Sequence, residues 1–131
     1  EKLLLANDAK AVRGAFLNTA ANKDRFPAQD LDIYAKAAQQ PGAIHSMVNY
    51  YRALVRYPEA RQVGDAMVET PTLVIWGEND LALDIHLIDG MEEWVPKLTV
   101  NRLPGISHWV QQDAPEEVNR LLGQWLDKPV Q

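Results

Sequence analysis

The chain of 131 residues is 47% hydrophobic and 24% charged, with a formal net charge of −5, a balance that suits one ordinary folded domain rather than a disordered chain. The negative balance argues against nucleic acid or an anionic membrane as partners, and no apolar stretch approaches a transmembrane span. The absence of cysteine excludes disulfides and thiolate metal sites and fits a cytoplasmic location.

The opening Leu3-Leu4-Leu5-Ala6 is too short for the apolar region of a signal peptide, and Asp8 follows closely. Residues 1–67 read as mostly helical. Asn18 to Arg25 is polar and predicts a loop. Pro27 opens a helix in which Leu31, Tyr34, Ala35 and Ala38 fall at helical spacing, and Pro41-Gly42 stops it. A second helix is predicted from Ala43 to Arg56, with Met47, Tyr50, Tyr51 and Leu54 at helical intervals and Pro58 beyond it. These short helices carry a modest apolar content and need another surface to pack on.

The composition changes near Glu69-Thr70-Pro71, and residues 68–131 read as alternating α/β. Thr72–Trp76 is a nearly continuous apolar run, the pattern of a strand covered on both faces. Asp84 to Trp94 predicts a helix, with Ile85, Ile88, Met91 and Val95 on one side and Pro96 closing it. A strand follows at Leu98–Leu103. Asp113-Ala114-Pro115-Glu116 is a helix start with a capping aspartate and an early proline, and Val118, Leu121, Leu122 and Trp125 form the buried stripe of that terminal helix.

A strand–helix–strand unit makes the two strands parallel. Their carboxyl ends then share one edge of the sheet, where α/β proteins place ligands. Asp80 follows the first strand and His108 the second, so they should meet at that edge. An acid that orients a histidine is two-thirds of a nucleophile–base–acid triad. Asp84 is the rival acid, although it sits well to cap the next turn. His45 and His86 lack comparable context, and Glu92-Glu93 reads as a solvated face. Two strands cannot make a stable sheet alone. The expectation is a fragment, or a chain that borrows strands from a second copy.

Four segments carry a family resemblance: Trp76-Gly77-Glu78-Asn79-Asp80, Met91-Glu92-Glu93-Trp94-Val95-Pro96, Gly105-Ile106-Ser107-His108-Trp109-Val110-Gln111-Gln112-Asp113 and Pro115-Glu116-Glu117-Val118-Asn119. In this order they resemble the C-terminal part of α/β-hydrolase-fold soluble epoxide hydrolases. Asn49-Tyr50-Tyr51-Arg52 resembles a motif of that family's helical cap. The resemblance implies a partial α/β-hydrolase fold, with residues 1–67 as cap and residues 68–131 as the last two parallel strands and helices of the core. It implies His108 as base, Asp80 as acid and Tyr51 as a phenol donor to the epoxide oxygen. Trp109 and Tyr50 are expected on the substrate side. No cofactor or metal is implied.

The departures are as informative. The family's second cap tyrosine has no good counterpart, since Tyr34 is the only tyrosine before Tyr50 and its surroundings do not match. The chain has no Gly-x-Asp-x-Gly or Gly-x-Ser-x-Gly elbow and no His-Gly-x-Pro loop. The nucleophile and oxyanion hole are therefore missing, and the chain alone is expected to be inactive. The implied partners are a small-molecule substrate and either the missing N-terminal half of the core or a second copy exchanging strands. A haloalkane or haloacid dehalogenase, or a carbon–carbon bond hydrolase, is the nearest alternative. A non-catalytic remnant that binds or oligomerises is the alternative of another class.

Overall fold

A computed structural model describes residues 1–58 and 67–127 of the chain. Residues 59–66 of the expected helical region, and 128–131, lie outside the described residues. The chain divides into two compact units, and the division is not contiguous. Residues 1–18 and 26–58 build the first. Residues 19–25 join 67–127 in the second.

The first unit holds three helices: α1 (Lys2–Thr19, its last residue in the second unit), α2 (Ala28–Ala38) and α3 (Ala43–Arg56). α1 is broken at Ala6–Ala9, where Asn7, Asp8 and Ala9 take left-handed backbone angles. Asn and Asp tolerate that region because their short polar chains bond locally. Here the Asp8 carboxylate accepts from the Arg13 guanidinium at 2.9 Å and from the Gln39 amide at 2.8 Å. Arg13 also donates to Asp32 at 2.9 Å, which ties α1 to α2. Ala9, Phe26, Leu31, Ala35, Ala38 and Ile44 are buried. Phe16 stacks on Tyr34 with centroids 4.6 Å apart and leans on Phe26 at 5.7 Å. α2 and α3 follow the helical spacing in the sequence. Among the described residues of α3, only Ile44 is buried. Met47, Tyr50, Tyr51, Leu54 and Val55 remain exposed, which agrees with a helical region short of a packing partner.

The second unit is built on two strands, β1 (Thr72–Gly77) and β2 (Leu98–Leu103). They pair in parallel, with Thr72 opposite Leu98 and Gly77 opposite Leu103. Each strand has only the other as a neighbour among the described residues, so one edge of each lacks a ladder partner. β1 is half-buried along Thr72–Trp76 and fully buried only at Gly77. The cover predicted for both its faces is not present.

The helix predicted over Asp84–Trp94 does not form. Two 3-10 turns take its place, at Ile85–Ile88 and Met91–Glu93. The Asp84 carboxylate accepts from the His86 N–H at 2.9 Å and starts the first turn. Gly90 lies between them at φ +79°, a left-handed conformation that no helix interior accommodates. Ile88 and Val95 are nevertheless buried. The apolar spacing is satisfied by two turns as well as by a helix.

After β2 the chain forms the short helix α4 (Val110–Asp113) and then α5 (Pro115–Leu126). Pro115 starts α5 at its first turn, but Asp113 does not cap it. The capping position belongs to Ala114, because the Asp113 carboxylate is engaged elsewhere. Val118, Leu121 and Trp125 are half-buried and Leu122 is exposed, so the expected buried stripe of α5 is only partly covered. With Thr72, Leu73 and Ile75 of β1, Val118, Leu122 and Trp125 line an open apolar groove.

Candidate active site

Both strands deliver their following loops to one edge of the ladder, as parallel pairing requires. The acid loop leaves β1 through a tight turn, in which the Asp80 N–H donates to the Gly77 carbonyl at 3.2 Å. The Glu78 N–H donates to the Leu103 carbonyl at 3.1 Å, and the Asn79 N–H to the Ile106 carbonyl at 2.9 Å. The two loops are thus joined backbone to backbone. Gly77 is required by this closeness. A Cβ there would lie 2.3 Å from the Ser107 carbonyl oxygen and 2.5 Å from that of Ile106.

Asp80 and His108 meet as predicted. His108 Nδ1 lies 2.8 Å from Asp80 Oδ2. A carboxylate can only accept, so Nδ1 carries the proton and Nε2 keeps its lone pair in the neutral ring. Asp80 Oδ1 accepts from the Ala82 N–H at 2.8 Å and the Leu83 N–H at 3.0 Å. The Asp80 side chain is 8% exposed and that of His108 35%. Burial pushes the Asp80 carboxyl up more than any other single influence. The His108 bond and the two backbone donors together outweigh it and hold the carboxyl below its ordinary value.

Asp84, the rival acid, is engaged with the His86 backbone and does not serve His108. The His86 ring bonds Asp89 at 2.7 Å and is largely exposed. His45 bonds Glu1 at 3.2 Å and Asn49 at 2.8 Å. Trp109 stands edge-on to the His108 ring, with centroids 5.0 Å apart and planes at 82°. Its indole N–H donates to Thr19 Oγ1 at 2.8 Å. Tyr50 and Tyr51 sit on α3 in the first unit, both 69% exposed, with rings edge to face at 5.8 Å. Tyr51 borders a shallow apolar depression with Val48, Arg52, Val55 and Arg56.

Two residues beside the site are functional candidates that their local sequence does not single out. Among the described residues, Ser107 and Asp113 are the buried polar ones, at 1% and 6% exposure. Their signal was present, as polar positions inside the quoted motif, but Asp113 also fits a helix-cap pattern. Among the described residues no group of three or more His, Asp or Glu is placed to hold a metal ion, and no helix is long and apolar enough to cross a membrane.

No protein-family model matches the chain. Over 98% of its length it is 34% identical to "Epoxide hydrolase 1" of Caenorhabditis elegans. Over 96% it is 32% identical to "Epoxide hydrolase 4" of Homo sapiens. It spans about a third of these relatives, 32% and 35% of their lengths. A crystal structure of a Bacillus megaterium epoxide hydrolase in complex with an inhibitor matches 97% of the chain with a TM-score of 0.83 at 26% identity, using 47% of its own chain. An epoxide hydrolase from Solanum tuberosum matches 82% of the chain with a TM-score of 0.67 at 32% identity.

Proposed function

From a chain that corresponds in sequence and in its partial α/β-hydrolase fold to a C-terminal portion of epoxide hydrolases, we propose that it supplies the base and acid of an epoxide-opening enzyme. The epoxide-opening activity is that of a whole protein of which this chain corresponds to about a third, judged by the length of its curated relatives. Residues 1–67 serve as the cap and residues 68–131 as the end of the core.

The observation that carries this reading is the 2.8 Å bond between Asp80 and His108 at the carboxyl ends of two parallel strands. The nucleophile is a carboxylate on the part of the core that this portion does not include. It attacks an epoxide carbon and forms an ester as the carbon–oxygen bond breaks. The leaving oxygen takes the phenol proton of Tyr51. His108 Nε2 then takes a proton from water, and the hydroxide adds to the ester carbonyl. Asp80 holds the Nδ1–H tautomer and stabilises the imidazolium. The departing diol oxygen takes the imidazolium proton, and the carboxylic acid so formed restores Tyr51. Epoxide and water become a vicinal diol, with no cofactor. Trp109 and Tyr50 border the substrate.

The test joins this chain to an N-terminal core portion bearing a carboxylate elbow and supplies styrene oxide. The expected result is diol formation. His108→Gln should arrest the reaction at the enzyme ester, seen as an adduct by intact mass, and Tyr51→Phe should slow ester formation. Diol formation undiminished by His108→Gln, or hydrolysis of carboxylic esters in place of epoxides, refutes the assignment.

A further inference from the structure

We propose that Asp113 is a positioning residue for the Asp80–His108 pair and acts through Ser107. The inference rests on the reading of that pair as acid and base, and adds what holds the base in place.

Fixing the backbone on both sides of His108 helps hold its Nδ1 against Asp80. Asp113 does this from within the second unit. Asp113 Oδ2 accepts from the Ser107 N–H at 3.2 Å and from the Ser107 hydroxyl. The same oxygen accepts from the Ala21 N–H at 3.3 Å, and Oδ1 from the Asn22 N–H at 3.1 Å. The Ser107 hydroxyl, oriented by donating to Asp113, accepts from the Trp109 N–H at 3.2 Å. Residues 107 and 109 are therefore both tied to one buried carboxylate, and His108 lies between them.

The donor set is specific to a carboxylate. Four N–H or O–H groups converge on Asp113, and a buried carboxylate is tolerated when its lone pairs are used in this way. An asparagine must turn its NH2 group towards at least one of those donors. The Ser107 hydroxyl has the complementary need for one acceptor and one donor, and an alanine supplies neither. A rigid base requires such a supporting set, because small displacements of a catalytic group are costly.

The experiment records long-range 1H–15N correlations of the histidine rings in the intact 15N-labelled chain at neutral pH. In the unaltered protein, His108 is expected as the single Nδ1–H tautomer, with a protected Nδ1 proton resonance. Ser107→Ala and Asp113→Asn are each expected to lose that resonance and shift His108 towards averaged tautomers while the backbone amide spectrum stays dispersed. Val95→Ala, a cavity in the buried side chain of Val95, should lower stability and leave the tautomer unchanged. If Asp113→Asn does not fold, Ser107→Ala decides alone. A folded Ser107→Ala variant with the wild-type tautomer overturns the positioning role and leaves the acid–base reading intact. Averaged tautomers already in the unaltered protein overturn the acid–base reading itself, and the positioning role with it.

Discussion

Asp80→Asn separates the charge of the acid from its shape. The amide oxygen can keep both backbone bonds, to Ala82 and Leu83, that Asp80 Oδ1 now accepts at 2.8 and 3.0 Å. Only the charged bond to His108 is lost. A hydrogen bond to a charged group contributes about 1.5–3 kcal/mol when well shielded. His108 is 35% exposed, so solvent screening discounts this to about 1 kcal/mol. In urea that is a lowering of the midpoint by roughly 0.5 M, given a slope near 2 kcal/mol/M. Tryptophan fluorescence is the natural probe, because Trp76, Trp94, Trp109 and Trp125 all lie in the second unit while the four tyrosines lie outside it. The pH dependence supplies the sign. The folded carboxyl sits below its ordinary value, so its stabilisation is fully present above about pH 4 and fades as pH falls through the folded value. The gap between wild type and variant should therefore close on acidification. Equal midpoints at pH 7, or a gap that persists unchanged at low pH, would show that the pair contributes nothing through its charge.

Two further substitutions probe the neighbourhood. Gly77→Ala places a methyl group 2.3 Å from the Ser107 carbonyl oxygen, and the loops must separate, at a cost of about 3 kcal/mol or more. It should lower the fluorescence-detected midpoint and broaden the His108 ring signals; a wild-type spectrum would contradict the close approach. Trp109→Phe removes the indole donor to Thr19 and should cost about 1–2 kcal/mol, read by the same urea transition. No change would mean that the Thr19 bond is idle.

Much of this architecture is legible in the chain. β1, β2 and the loops that follow them are marked by apolar runs ending in Gly-containing turns, and parallel pairing brings Asp80 to His108. α3 is bounded by Pro41-Gly42 and Pro58. The expected helix at Asp84–Trp94 is different. Its apolar spacing is real, but Gly90 divides it, and local periodicity does not distinguish one helix from two turns. Asp113 shows another limit. Its aspartate–alanine–proline setting describes a cap, whereas its donors include Ala21 and Asn22, 92 and 91 residues away. No local pattern carries that information. The partly covered stripe of α5 follows from the two-stranded ladder, since amphipathic spacing tells which face seeks cover and not whether cover is present.

The clip between Asn22 and Asp113 has a bearing on biosynthesis. Its two ends are 91 residues apart, so at about 5–20 residues per second the ribosome adds the acceptor roughly 5–18 s after the donor. Throughout that interval the peptide 19–25 waits without its mate, and the loop that must close is long, a slow event in topological terms. The polar seat beneath the imidazole is thus among the last parts to assemble. A nascent chain stalled before Asp113 should leave residues 19–25 open to proteolytic cutting, and a chain extended past it should not.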